Sequence, residues 1–150
     1  MAEYGVTNWR GRQVLTLATE ANLTAMKKAA AIVQRDVKTH FTVPGTGKSS
    51  RRTKTGKRHY ASLPGQPPAV DTGVLRSSII GQVSIEGVGV VGKVGPDIDY
   101  VAAHAAAGTD VEYGYYLELG TAKMAARPFL RPSLRRTAKK VKEIFVKANS

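Results

Sequence analysis

Residues 45–49 read Gly-Thr-Gly-Lys-Ser and come closest of any stretch in the chain to a known chemical motif. A glycine-rich turn ending in Lys-Ser binds nucleotide phosphates, because its backbone amides and its lysine surround the phosphate oxygens. The full motif also needs a glycine five residues before Gly47, whereas position 42 is Thr. It must follow a strand and open a helix, but here the predicted order is a helix and then a basic loop. We therefore expect no nucleotide site and no cofactor.

Other residue types used in catalysis or metal binding are dispersed. The three histidines are far apart in the sequence: His40, His59 and His104. None has a partner at the spacing that zinc ligands require. No Ser or Thr occupies a strand-to-helix elbow with a matching His and acid. We therefore expect that the chain is not an enzyme and that it holds no metal.

Two similar acidic segments, 95–100 and 108–113, leave one alternative open. Their acids are Asp97, Asp99, Asp110 and Glu112. If the segments paired, the carboxylates would form an oxygen-rich calcium site. Solvated strand ends and interface salt bridges are the simpler interpretation.

Composition predicts one globular domain spanning residues 1–150. The chain is 42% hydrophobic and 23% charged, which is ordinary for a folded protein. It contains no cysteine, so disulfides and thiolate metal sites are excluded and synthesis in a reducing cytoplasm is expected. No signal-like or bilayer-length apolar run is present, and we expect no membrane association.

The net charge of +12 is concentrated in two segments. One is a flexible, loop-like section at about 44–66, and its bases are Lys48, Arg51, Arg52, Lys54, Lys57 and Arg58. The other is the C-terminal stretch 123–147. Six bases without an acid would bind phosphates by counterion release, which favours non-specific contact with duplex DNA. An acidic protein surface or a merely solvated surface would also account for this charge.

The apolar pattern predicts an α+β fold. A long helix covers residues 8 to about 41, with Asn8 as its N-cap. Its apolar residues recur at three- and four-residue steps: Val14, Leu17, Ala18, Ala21, Ala25, Ile32, Val33 and Val37. Asp71 or Thr72 caps a short helix, and a hairpin turning at Gly87 follows it. Residues 98–107 fit either a strand or a helical turn. A further strand at 111–119 brings the antiparallel sheet to about four strands. A C-terminal helix follows from Pro132, with Ile144 beside an apolar stripe made of Leu134, Ala138, Val141, Phe145 and Ala148.

Residues 113–132 join that last strand to a proline-bracketed corner. Every second residue from Val111 to Leu119 is apolar, which is the period of a half-buried strand. This places Tyr113, Tyr115 and Leu117 in the core and turns Tyr116 and Glu118 outward, where tyrosine suits a subunit interface. Arg127, Pro128, Phe129, Leu130, Arg131 and Pro132 form the corner. Fixed φ angles at its two prolines would press Phe129 and Leu130 against a neighbouring element, and Arg127 could pair with Glu118 or with an acid of a neighbour.

At these residues the chain resembles a family. Tyr-x-x-Tyr-Leu-Glu-Leu-Gly-Thr, followed by Met-Ala-Ala-Arg-Pro-Phe-Leu-Arg-Pro, is similar to the signature of tail-completion (neck) proteins of long-tailed, siphovirus-type bacteriophages. The segment at 67–79, Pro-Pro-Ala-Val-Asp-Thr-Gly-Val-Leu-Arg-Ser-Ser-Ile, resembles the other recurring piece of that family. Neither motif is catalytic, and the segment 98–110 is longer than the family pattern.

The resemblance implies a structural virion protein, made in the host cytoplasm and located at the neck. It implies a ring, expected to be a hexamer, between a head-closure (connector) protein and the tail terminator or tail tube, with DNA passing through its centre. The tyrosine face and the corner would form subunit contacts, and the basic loop would face DNA or an adjacent ring. The alternatives are a basic non-specific nucleic-acid-binding protein and a tail terminator or minor head protein.

Overall fold

A computed structural model describes residues 11–41, 47, 50–52, 56, 58–87, 89–105 and 112–150, without the side chains of 11–18 and 50–52. In chain order the described elements are α1 (Gly11–His40), β1 (Ser50–Arg52), β2 (Arg58–Tyr60), α2 (Val74–Ser78), β3 (Ile79–Glu86), β4 (Gly89–Pro96), α3 (Ile98–His104), α4 (Tyr113–Leu119) and α5 (Leu130–Ala148). The α+β class is confirmed. The expected cap at position 8 lies outside the described residues.

Helix α1 supplies one side of the core. Its buried residues recur every three or four positions, as on one face of a helix: Ala25, Ala29, Ala30, Val33 and Val37, followed by Phe41. The alanines let the hairpin approach closely, and the amide of Gln34 donates a 2.9 Å hydrogen bond to the carbonyl of Ile79. The predicted long helix is confirmed, and Ala25, Val33 and Val37 of its predicted apolar face are buried.

The predicted hairpin is confirmed, but the single sheet of about four strands is not. Strands β3 and β4 pair antiparallel from Ile79↔Pro96 to Glu86↔Gly89, with Gly87 at the turn. Within the described ranges they form a two-stranded sheet, and β1 and β2 form a second one. The second sheet lies inside the section that was expected to be a loop. It is a short antiparallel hairpin in which Arg52 pairs with Arg58.

The predicted strand at 111–119 is wrong, because Tyr113–Leu119 is a helix, α4. Its buried residues are Gly114, Leu117 and Glu118, which lie one helical turn apart. Tyr113 and Tyr115 were expected in the core, but both are exposed, whereas Leu117 is buried as expected. The alternating apolar residues therefore do not mark one face of a sheet.

The ambiguous segment after β4 is also helical. Helix α3 begins at Ile98, and an oxygen of Asp97 caps it by accepting hydrogen bonds from the backbone amides of Asp99 and Tyr100, at 3.0 and 3.2 Å. Helix α2 begins after Gly73, which occupies the N-cap position expected for Asp71 or Thr72. Short helices thus flank the hairpin on both sides.

Helix α5 packs against α1 through a face different from the predicted one. It begins at Leu130, two residues before the expected start at Pro132, and Ser133 and Thr137 are its buried positions. The predicted apolar stripe instead lies at the edge of this face. Leu134 and Ala138 are exposed, and the rest of the stripe is half-buried: Val141, Ile144, Phe145 and Ala148.

Candidate interaction surfaces

The corner between α4 and α5 is fixed by one buried carboxylate. Glu118 accepts hydrogen bonds from the backbone amides of Phe129, Leu130 and Arg131 at 2.7, 2.9 and 3.1 Å. These amides open α5 and have no partner within the helix, and a negative charge is favourable at this positive end of the helix dipole. α5 has no acid in its own first turn, so α4 supplies the cap. Glu118 was predicted to face outward, which is wrong because it sits on the inner side of a helix.

Phe129 and Leu130 enter the core at this corner, as the bracketing prolines predict. Phe129 is buried, and its ring lies 5.0 Å from the ring of Phe41, centroid to centroid. Leu130 packs against the same cluster, while Pro128 and Pro132 are half-buried beside it. The proline-bracketed sequence therefore anchors α5 within its own chain.

Arg127 ties the corner to the segment before α2. Its backbone amide donates to the carbonyl of Leu117 at 2.7 Å, and its Nε donates to the carbonyl of Ser62 at 3.2 Å. The amide of Gly65 donates to the carbonyl of Ala126 at 2.9 Å. Arg127 therefore contacts Ser62 and not Glu118, which was the intramolecular partner suggested by the sequence.

Gly120 allows the chain to leave α4 and fold back. Its φ is 79°, a value that side-chain-bearing residues rarely adopt. A Cβ atom placed on it would lie 2.8 Å from the backbone nitrogen of Ala126 and 3.0 Å from the carbonyl oxygen of Met124. Any other residue would push the returning chain away from α4.

The two segments that carry the family resemblance lie against each other. A Cβ placed on Gly114 would approach Pro96 to 2.8 Å and Leu75 to 3.2 Å, so α4 rests directly on α2 and the end of β4. Both segments line one cavity of about 480 Å³, whose wall also includes Phe41 and Val101. The segments at 67–79 and 113–132 therefore form one structural unit.

The outer side of α4 is apolar and exposed. Tyr113, Tyr115 and Leu119 are 45%, 62% and 40% exposed. Tyr116, the predicted interface aromatic, is half-buried and donates a 3.1 Å hydrogen bond from its hydroxyl to Glu112. Its neighbour Tyr115 is the more accessible aromatic. The helical period places Tyr115 on the side opposite the buried Leu117, two residues further along the helix.

The predicted basic loop is described only in part. Arg51 and Arg52 lie on β1, paired with the β2 residues His59 and Arg58, and Arg58 is exposed. Lys48, Lys54 and Lys57 lie outside the described residues, as does the Gly-Thr-Gly-Lys-Ser stretch apart from Gly47. The described Gly47 bonds to the carbonyl of Ala61 at 2.8 Å, adjacent to β2.

A second basic surface follows the outer side of α5. Four exposed bases recur at three- and four-residue steps and form one stripe, the α5 basic stripe: Arg131, Arg135, Lys139 and Lys142. Arg136 lies outside it and donates hydrogen bonds of 2.8 and 3.1 Å to Asp36 on α1. Burial raises the pKa of the Asp36 carboxyl, but hydrogen bonds from Arg136 and Ser133 outweigh it and hold the pKa below its ordinary value of 3.8.

The described residues contain no group of three or more His, Cys, Asp or Glu arranged to hold a metal ion. His104 instead stacks on Tyr100, with the ring centroids 4.0 Å apart. Asp110, a member of the possible calcium set, lies outside the described part, so that alternative stays a hypothesis. In the same described ranges, no helix has the length and apolarity to cross a membrane.

Comparison of the chain with protein-family models, curated proteins and solved structures gives no match. What the described residues offer is a rigid corner next to an exposed aromatic face, together with a basic stripe. Exposed aromatic and basic side chains are common in protein and nucleic-acid interfaces.

Proposed function

We propose that this chain is a structural protein of the bacteriophage head–tail junction, where it forms a ring that completes the tail and joins it to the head-closure complex. One observation carries the proposal. The two segments that resemble the neck family pack together around one cavity, although the 33 residues 80–112 separate them in the sequence. Two segments that belong to one family pattern are expected to pack together, so their contact supports the proposal.

The exposed side of α4 supports a role in assembly. Tyr115 and Leu119 lie on a short helix whose opposite side is held in the core by Leu117. Tyrosine is enriched where one protein contacts another, and contiguous exposed apolar side chains often mark such contacts. The proposed role for this surface is a subunit contact within the ring, expected to be a hexamer, or a contact with the next ring.

The rigidity of the corner supports the same role. Three backbone hydrogen bonds to Glu118 fix the angle between α4 and α5 before any partner arrives. A surface that is already in its bound shape loses less conformational entropy on association. Corner residues would then act in assembly indirectly, by holding Tyr113 and Tyr115 in place.

The basic segments suit the surroundings of a neck. DNA passing through a ring presents a high density of phosphates, which bases such as Arg58 would attract without regard to sequence. The loop bases from Lys48 to Arg58 are proposed to face this channel or an adjacent ring. The expected neighbours are a head-closure protein on one side and a tail terminator or tail-tube protein on the other.

Electron microscopy of a phage with an early stop codon in this gene tests the proposal. We expect filled heads separated from tails, or tails with a defective upper end, and a wild-type copy supplied in trans should restore joined particles. Complementation with Tyr115→Ser should fail more often than with the matched control Tyr60→Ser, since Tyr60 is 42% exposed but lies on β2. Normal joined virions from the stop-codon phage would overturn the junction role.

The α5 basic stripe favours a second candidate, a non-specific nucleic-acid-binding protein. Four exposed bases on one side of a helix could contact one phosphate backbone. If all four bound phosphates, log K would fall with log salt concentration at a slope of about −3.6. Tight binding by the isolated monomer with this slope would favour the second candidate, and binding only by an assembled ring would favour the first.

A further inference from the structure

We propose that Ile98 of one copy inserts into an apolar cavity between α1, β4 and α5 of a second copy of this chain. This contact rests on the proposed function, since it specifies how subunits of the ring touch. Its evidence is independent of the family resemblance, because neither Ile98 nor the cavity belongs mainly to the two resembling segments.

The receiving site, named here the α1–β4–α5 cavity, is apolar on every side. Its volume is about 190 Å³ and its lining consists of Met26, Ala29, Ala30, Val33, Gly92, Val94, Leu130, Leu134 and Val141. Leu134 is 54% exposed, so the cavity is open toward solvent at α5. Apolar cavities of about 150 Å³ are large enough to bind benzene, and a branched aliphatic side chain is of similar size.

Ile98 is an exposed aliphatic side chain that is held in a fixed position at the start of a helix. It is the first residue of α3 and is 54% exposed. The helix start is fixed by Asp97, which accepts hydrogen bonds from the amides of Asp99 and Tyr100. A β-branched residue at a fixed helix start has few rotamers to lose, so its insertion carries a small entropy penalty.

Charge identifies the occupant as a second copy. Ile98 lies between two acids, and Asp99 is exposed. On α5, the exposed Arg131 directly follows the lining residue Leu130 and lies one helical turn before the lining residue Leu134. An apolar residue with an acidic neighbour thus meets an apolar cavity with a basic neighbour, and complementary charge of this kind fixes orientation and partner choice.

Both halves of the contact are present in every copy. The inserting and receiving surfaces differ, so each copy can insert one Ile98 and receive another. Weak single contacts then suffice, because every subunit of a closed assembly makes two of them.

Sedimentation of the purified full chain at low salt tests this contact. We expect concentration-dependent self-association that Ile98→Asp weakens at least tenfold, since burial of an isoleucine is lost. Leu63→Asp is the control, because Leu63 is 43% exposed but belongs neither to α3 nor to the cavity lining. It should leave the association constant within about twofold of the wild-type value, as is usual for a surface position outside a contact.

A charge exchange provides the second arm of the test. Asp99→Lys and Arg131→Glu should each weaken association. A chain carrying both should recover most of it, because the two exchanged charges attract each other again. Lys140→Glu, at an exposed position of α5 outside the stripe, is the charge control. Circular dichroism of each single variant shows whether it is folded.

Two results would overturn the contact. A wild-type chain that stays monomeric at all accessible concentrations would leave the cavity to a different protein of the junction. Equal loss of association with Ile98→Asp and Leu63→Asp would place the interface elsewhere. Neither result touches the junction role itself, which depends on particles from the stop-codon phage.

Discussion

The α4–α5 corner and the outer surfaces of α3 and α5 use the same kinds of residue in different surroundings. At the corner, the carboxylate of Glu118 is buried and accepts three backbone hydrogen bonds. On α3, the carboxylate of Asp99 is exposed. Likewise Phe129 is 1% exposed, whereas Ile98 is 54% exposed.

This difference separates residues that hold the fold from residues available to partners. A buried group affects the free energy of unfolding, because its removal leaves a void or an unpaired amide. An exposed group changes that free energy little and acts through association. The comparison can therefore be tested by measuring the free energy of unfolding of variants at the corner and of variants at the exposed surface.

Phe129→Ala should have the largest effect. The substitution leaves a void next to Phe41, and large-to-small changes of a buried phenylalanine destabilise by about 3–5 kcal/mol. Urea unfolding followed by circular dichroism measures this free energy. The surface counterpart is Tyr115→Ala, at a side chain 62% exposed, where we expect a change below about 0.5 kcal/mol. Similar losses at both positions would break the comparison.

Glu118→Gln should come next, with a loss of about 2 kcal/mol. The amide keeps the shape but removes the charge, and its NH₂ group faces backbone amides that need an acceptor. Thermal unfolding measures the loss, and Glu143→Gln on the exposed side of α5 is the control. If both variants melt at the same temperature, then Glu118 does not hold α5.

Gly120→Ala tests how closely the returning chain packs against α4 at the corner. Gly65 has the same φ of 79° but nothing within 4 Å of an added Cβ, whereas Gly120 has the backbone of Ala126 at 2.8 Å. Gly65→Ala should destabilise by about 1 kcal/mol from strain alone, and Gly120→Ala by about 2–3 kcal/mol. Equal unfolding midpoints in urea would mean that the returning chain can move away from α4.

Asp36→Asn should have the smallest effect, about 1 kcal/mol at pH 7, because the pair with Arg136 is partly exposed. The folded-state pKa of Asp36 lies below its ordinary value of 3.8. The carboxylate therefore stabilises the fold above that value, and its contribution is lost as the pH falls through the folded-state pKa. Melting temperatures of the two proteins should differ at pH 7 and converge below pH 3.8. A difference that persists in acid would assign the effect to packing.

Regular periodicity predicted much of the fold. The three- and four-residue spacing of Ala25, Val33 and Val37 indicated α1, and the alternation around Gly87 indicated the hairpin. The strand prediction for the α4 segment was wrong because apolar residues at every second position also occur in a helix that exposes its tyrosines. Gly120 directly after Leu119 was the available signal, since a glycine there commonly ends a helix.

The corner was predictable in part. Two prolines around Phe129 and Leu130 correctly indicated an inserted apolar pair. The role of Glu118 was missed because a cap contributed by a residue eleven positions away leaves no local pattern. One sign was present, since residues 128–131 lack the Ser, Thr, Asp or Asn that usually precedes a helix. Ile98 and its cavity were not predictable, because exposure depends on which elements pack together.

The hydrogen bonds from α5 to Glu118 also couple the local unfolding of the two helices. Helix α4 has seven residues, too few to persist in water without tertiary packing. The first turn of α5 has its acceptor only while α4 is docked, so the two helices should open and close together as one cooperative unit. In native-state hydrogen exchange, the amides of Phe129, Leu130 and Arg131 should therefore share one opening free energy with the amide of Gly120, which bonds to Tyr116 at the end of α4.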